Sequence, residues 1–103
     1  MATALQDRFG RTIRLTDERI AHILEHVEMA GQLDKVEETL REPDVVVRRQ
    51  RDPDVHLYHK HYTTTPVTEK SLLVAIKVAQ MDAFVLTAFF TNTIKKGERI
   101  WEK

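Results

Sequence analysis

The chain has 103 residues, the length of one domain and too short for two independent cores. Hydrophobic residues at 42% and charged residues at 31% are the balance of a globular protein, while sixteen Lys/Arg against sixteen Asp/Glu argue against a protein that coats nucleic acid generically. With no cysteine, disulfides and thiolate chemistry are excluded; no apolar run nears the ~20 residues of a bilayer span, and residues 1–14 lack a signal-peptide core, so a cytoplasmic protein without a membrane partner is expected.

Asp7-Arg8-Phe9-Gly10-Arg11 reads as a turn with Gly10 at positive φ, and Thr12 to Leu15 as a short extended lead. Thr16 is a good N-cap, followed by Asp17 and Glu18 at the positive end of a helix dipole. Ile20, Ile23, Leu24 and Val27 then repeat at i, i+3, i+4, i+7, one apolar helical stripe that ends near Gly31. A second helix is expected over 32–41, with Leu33, Val36 and Leu40 on one face and Pro43 as its stop.

From Asp44 the period changes to two. Strands are expected at Val45–Arg49 and Val55–Thr63, joined by a turn over Arg51–Asp54. A loop over Thr64–Lys70 leads to a hairpin of Ser71–Ala79 and Ala83–Thr91. The tail from Asn92 has turn chemistry at Lys96-Gly97 and ends on Ile100-Trp101. These elements predict a single α+β domain over 1–103: an N-terminal lead and two helices, then a four-stranded, mostly antiparallel sheet, with 1–6 and 102–103 frayed.

Charge is unevenly spread. Residues 1–54 carry nine Lys/Arg against twelve Asp/Glu, and residues 55–103 carry seven against four. An anionic ligand is therefore sought on the sheet. On the strand around Lys77, alternation sends Leu72, Val74, Ile76 and Val78 to one face and Lys77 to the other, between Ala75 and Ala79. The next strand splits into Phe84, Leu86, Ala88 and Phe90 on one side and Val85, Thr87, Phe89 and Thr91 on the other. A lysine framed by small residues and threonines suits a phosphate groove; the plainer alternative is that Lys77 marks the solvent face of a one-sided sheet. Of Arg48 and Arg49 only one parity faces the groove, and the mixed-polarity face favours Arg48.

His22 and His26 stand at i, i+4, His59 and His61 share a strand face, and His56 falls on the other with Tyr58 and Tyr62. No carboxylate stands at a convincing ligand spacing, so no metal or other cofactor is expected, and histidine as general acid or base is the better use.

The order Asp7-Arg8-Phe9-Gly10-Arg11, Leu15-Thr16-Asp17-Glu18-Arg19, His22-Ile23, His26-x-Glu28, Glu42-Pro43-Asp44-x-Val46, Val74-x-x-Lys77 and Leu86-Thr87-Ala88-Phe89 resembles the phage-associated barnase–EndoU–colicin–RelE-like nuclease families. The resemblance runs from about Asp7 to Trp101, although Val27 stands where the family pattern has a proline. It implies two helices on a four-stranded sheet and a toxin-like, metal-independent endoribonuclease, with RNA and a cognate antitoxin or immunity protein as partners. It also implies His22, Lys77 and Thr87 as the catalytic positions. Arg48, Tyr62 and Thr91 join them from the strand pattern as RNA-binding candidates. Two alternatives stand beside it. One is an inert domain that binds RNA or a protein; the other is a module oligomerising through the sheet, with Val85, Phe89 and the tyrosines covered by another chain.

Overall fold

A computed structural model describes residues 2–66 and 70–103. The elements are β1 (Ala2–Gln6), β2 (Thr12–Thr16), α1 (Asp17–Leu24), a 3₁₀ turn (Val27–Met29), α2 (Asp34–Arg41), β3 (Val45–Arg48), β4 (Val55–Tyr62), β5 (Lys70–Ala79), β6 (Asp82–Thr91) and β7 (Glu98–Glu102). Of the loop expected over Thr64–Lys70, Val67, Thr68 and Glu69 lie outside the described residues.

All seven strands form one sheet in the order β1-β2-β6-β5-β4-β3-β7. This overturns the expected four-stranded sheet behind a lead. The central β3 to β6 are there, but the lead is an antiparallel hairpin, β1 on β2, joined to β6 in parallel at Arg14 and Phe84. The tail is β7, antiparallel to β3 on the opposite edge. Residues 2–6 and Glu102, expected to be frayed, lie in strands. The outer strands escape pattern reading because they are short and polar, as sheet edges are: β1 buries only Leu5, and β7 carries Glu98, Arg99 and Glu102.

The helices cover one face. Thr16 caps α1, its Oγ1 accepting from Arg19 N at 3.2 Å. The helix stops at Leu24, earlier than the expected stripe requires. Ile23 is therefore buried, whereas Val27 has left the helix and is 84% exposed. In α2, Val36 and Leu40 are fully buried against the sheet, each contributing on the order of 1.5–3 kcal/mol. Beneath the helices lie Val46, Tyr58, Leu72, Val74, Ile76, Val85, Ala88 and Phe90.

The other face carries a second apolar cluster: Val45, Val47, Val55, Leu57, Leu73 and Ala75, flanked by Leu86 and Phe89. The split of β6 differs from strict alternation. A bulge lies between Ala75 and Ile76: Ala75 pairs with Thr87 but Ile76 with Val85, leaving Leu86 as the extra residue. Below the bulge the faces are exchanged, so Val85 belongs to the helix-side core at 0% exposure and is covered by its own chain, not by a second one.

Candidate anion-binding groove on the open sheet face

Pairing registers lay the open face out in rows. Val45, His59, Leu73 and Phe89 cross the sheet in one row, and Val47, Leu57, Ala75 and Thr87 in the next. Val55 and Lys77 follow, with Arg49 brought beside Val55 by its backbone N–H to Val55 O, at 3.1 Å. The segment 92–97 carries the chain from β6 past β5, β4 and β3 to β7, and sets Lys95 and Lys96 over this face. A groove of about 350 Å³ results. Its floor is Leu57, Leu73, Ala75, Thr87 and Phe89, and its cations are Arg49, Lys95 and Lys96.

The ends of segment 92–97 are fixed. At the start, Thr91 Oγ1 accepts from Thr93 N at 3.3 Å. At the far end Gly97 has φ 152°, and a Cβ there would lie 2.4 Å from Arg48 O, so only glycine passes so close to β3.

None of Arg49, Lys95 and Lys96 has an ion-pair partner among the described residues, whereas Arg48 holds Glu98 and Lys77 meets Asp52. Beneath the segment lies His59, fully buried, with neither ring nitrogen hydrogen-bonded among the described residues. Burial, then Lys95 and Arg99, lower its pKa to about 4, so the ring is neutral at pH 7.

The expected site residues are placed as follows. Thr87 lines the groove. Lys77 shares its face but stands at the end, its Nζ 3.6 Å from Asp52 Oδ2. His22 is exposed on α1 and meets His26 edge-on at 6.5 Å; His26 in turn lies 5.5 Å from the Phe89 ring. His22 therefore reaches the groove only through His26 and Phe89. Thr91 is on the open face but serves the turn into segment 92–97.

Two expectations are corrected. Arg48 is paired with His56 on the helix-side parity, and its Nη2 holds Glu98 Oε1 at 2.8 Å; the groove arginine is Arg49. Tyr62 also points to the helix side, its hydroxyl donating to Glu38 Oε1 at 2.6 Å. Its pKa is raised by burial and then by Glu38. Strand pattern missed Lys95, Lys96 and His26. The signal for the first two was a Lys-Lys-Gly step in a polar connection, whose crossing direction depends on which strands pair.

Among the described residues no group of three or more His, Asp or Glu is placed to hold a metal ion. No helix among them is long and apolar enough to cross a membrane. No family model matches the chain, and no curated protein or solved structure matches it.

Proposed function

We propose that the open face binds RNA and cleaves it as a toxin-like, metal-independent endoribonuclease of the cytoplasm. The observation that carries this reading is the meeting of Arg49, Lys95 and Lys96, without ion-pair partners among the described residues, over a groove floored by Thr87 and Phe89. Unneutralised cations over a low-dielectric floor favour a polyanion, and they favour still more a phosphorane, whose charge exceeds that of the phosphodiester. Balanced net charge does not oppose this, because the cations are gathered where the strand would lie.

Cleavage further needs a base for the 2′-hydroxyl and an acid for the departing 5′-oxygen. His22, which meets the groove through His26, is the histidine that the sequence pattern assigns to the first role. Lys77, released from Asp52 when phosphate enters, gives a proton of its ammonium group to the departing 5′-oxygen, with Thr87 Oγ1 as a hydrogen-bonding partner of the phosphate. A cognate antitoxin belongs to this reading as a protein that covers the groove.

One arrangement favours the inert RNA-binding alternative: Lys77 is held by Asp52, and among the described residues no acid–base pair meets at Thr87 within hydrogen-bond reach. Cleavage of labelled single-stranded RNA in EDTA separates the two. Wild-type cleavage that persists in EDTA and is lost in Lys77→Ala and Thr87→Val supports the nuclease. Retained RNA binding with intact RNA across several sequences supports the binder. Failure to bind RNA at all removes both.

A further inference from the structure

We infer that Phe89, braced by His26, is a nucleobase subsite, so that the groove takes a strand with at least one unstacked base. The inference rests on the RNA reading above and adds which part of the nucleic acid is read. Its observations are geometric. Phe89 lines the groove beside Thr87, in the row of Leu73 and His59. The His26 ring packs against it, centroids 5.5 Å apart and planes at 39°. His22 meets His26 in turn, at 6.5 Å and 84°.

The position of this pair follows from the sheet. β2 pairs with β6 only at Arg14 and Phe84, so the upper half of β6 has no strand neighbour on that side. The end of α1 and the 3₁₀ turn pack there instead, and His26, between them, reaches over the strand edge to the open face. The phenyl ring is thus braced by His26 and, half-buried, still lines the groove.

Chemistry divides the groove accordingly. Phe89 offers a π-face and no hydrogen bond, which suits a base and not a phosphate; Arg49 lies on the far side. Three strand intervals of about 4.8 Å put β3, which leads to Arg49, roughly 14 Å from β6. One phosphate cannot reach both ends, whereas a short strand can lay its backbone along Arg49, Lys95 and Lys96 and tip one base onto Phe89. A duplex, whose bases are stacked and paired, presents no free face to the ring. The occupant is therefore a single-stranded segment.

The test uses fluorescein-labelled octanucleotides and the full chain. Binding is compared for a single strand, the same strand in a duplex, and an abasic ribose-phosphate octamer, with wild type, Phe89→Leu and Phe89→Trp. A single strand carrying 2-aminopurine reports stacking directly in the wild type, independently of any variant's folding. Expected are quenching of 2-aminopurine and tighter binding of the single strand than of either competitor. Phe89→Leu weakens the single strand about tenfold and leaves the abasic octamer unchanged, and Phe89→Trp restores binding. Equal binding of all three ligands without quenching overturns the subsite but leaves the RNA groove standing. Absence of binding to any of them overturns the groove reading itself.

Discussion

The Tyr58 hydroxyl donates to Asp7 Oδ2 at 2.6 Å in the protein interior, joining the turn between β1 and β2 to the middle of β4. The same carboxylate organises the turn: its Oδ1 accepts from Phe9 N at 2.9 Å and from Arg11 N at 2.8 Å. Phe9 then lies edge-on to the Tyr58 ring at 6.4 Å. Burial, then the bond to Asp7, raise the tyrosine pKa far above its ordinary value, so the hydroxyl remains a donor at any physiological pH.

Removing that hydroxyl leaves a buried carboxylate oxygen without its hydrogen bond, facing only Arg11 Nε at 3.8 Å. Tyr58→Phe is expected to destabilise the fold by about 1–3 kcal/mol, measured by urea unfolding. The change is isosteric, so an unchanged midpoint would mean that the bond contributes nothing net.

Stability should fall below neutral pH because of His59. Its folded pKa of about 4 lies under the unfolded 6.5, so the unfolded chain binds more protons between the two values. Its contribution is complete above about pH 6.5 and is lost as pH falls towards 4, with an order of magnitude of 3 kcal/mol. Unfolding curves at pH 7.5 and 4.5 for wild type and His59→Phe check this: the loss should be smaller in the variant. Equal losses would assign the acid sensitivity elsewhere.

Gly97→Ala should be costly out of proportion to one methyl group. The new Cβ meets the Arg48 carbonyl oxygen at 2.4 Å and Val47 Cγ1 at 2.7 Å, at a φ that side chains avoid. A loss of more than about 1 kcal/mol is expected in thermal unfolding. RNA binding should weaken as well, because Lys95 and Lys96 hang on the segment that Gly97 anchors.

Arg48 and Arg49 are adjacent and chemically identical, yet they should behave differently towards RNA. Arg49→Ala should lower affinity and reduce the magnitude of the log–log salt slope by about 0.7, the change for one phosphate contact on a single strand. Arg48→Ala, which breaks the pair with Glu98 on the other side of the sheet, should leave the slope unchanged. Equal slopes for the two variants would place the strand outside the groove.

Much of the central sheet could be read from residue type alone. Asp17 and Glu18 after Thr16 mark the helix start, and the alternation of Leu72, Val74 and Ile76 identifies the helix-facing side of β5. Lys77 and Thr87 were placed on the open face because period two holds on each of their strands near them. Three things were illegible for physical reasons. The edge strands bury too little to show a period. The bulge at Leu86 is one unpaired residue, invisible until its partner strand is known, and it alone moves Val85 to the core. The choice between Arg48 and Arg49 turns on which parity the helices cover, a tertiary fact that either arginine satisfies equally as sequence.

The strand order also bears on how the chain reaches this state. The ladder between β2 and β6 joins Arg14 to Phe84, so a ribosome completes the N-terminal hairpin long before its neighbour exists. A two-stranded ribbon is marginal in water, and closing so long a loop precedes any gain from the pairing. The hairpin thus stays a loose passenger while β3 to β6 zip locally, and docks as a late event. This seam, like the one between β3 and β7, closes a long loop and slows folding, and until it closes the edge of β6 is open to a strand of another molecule.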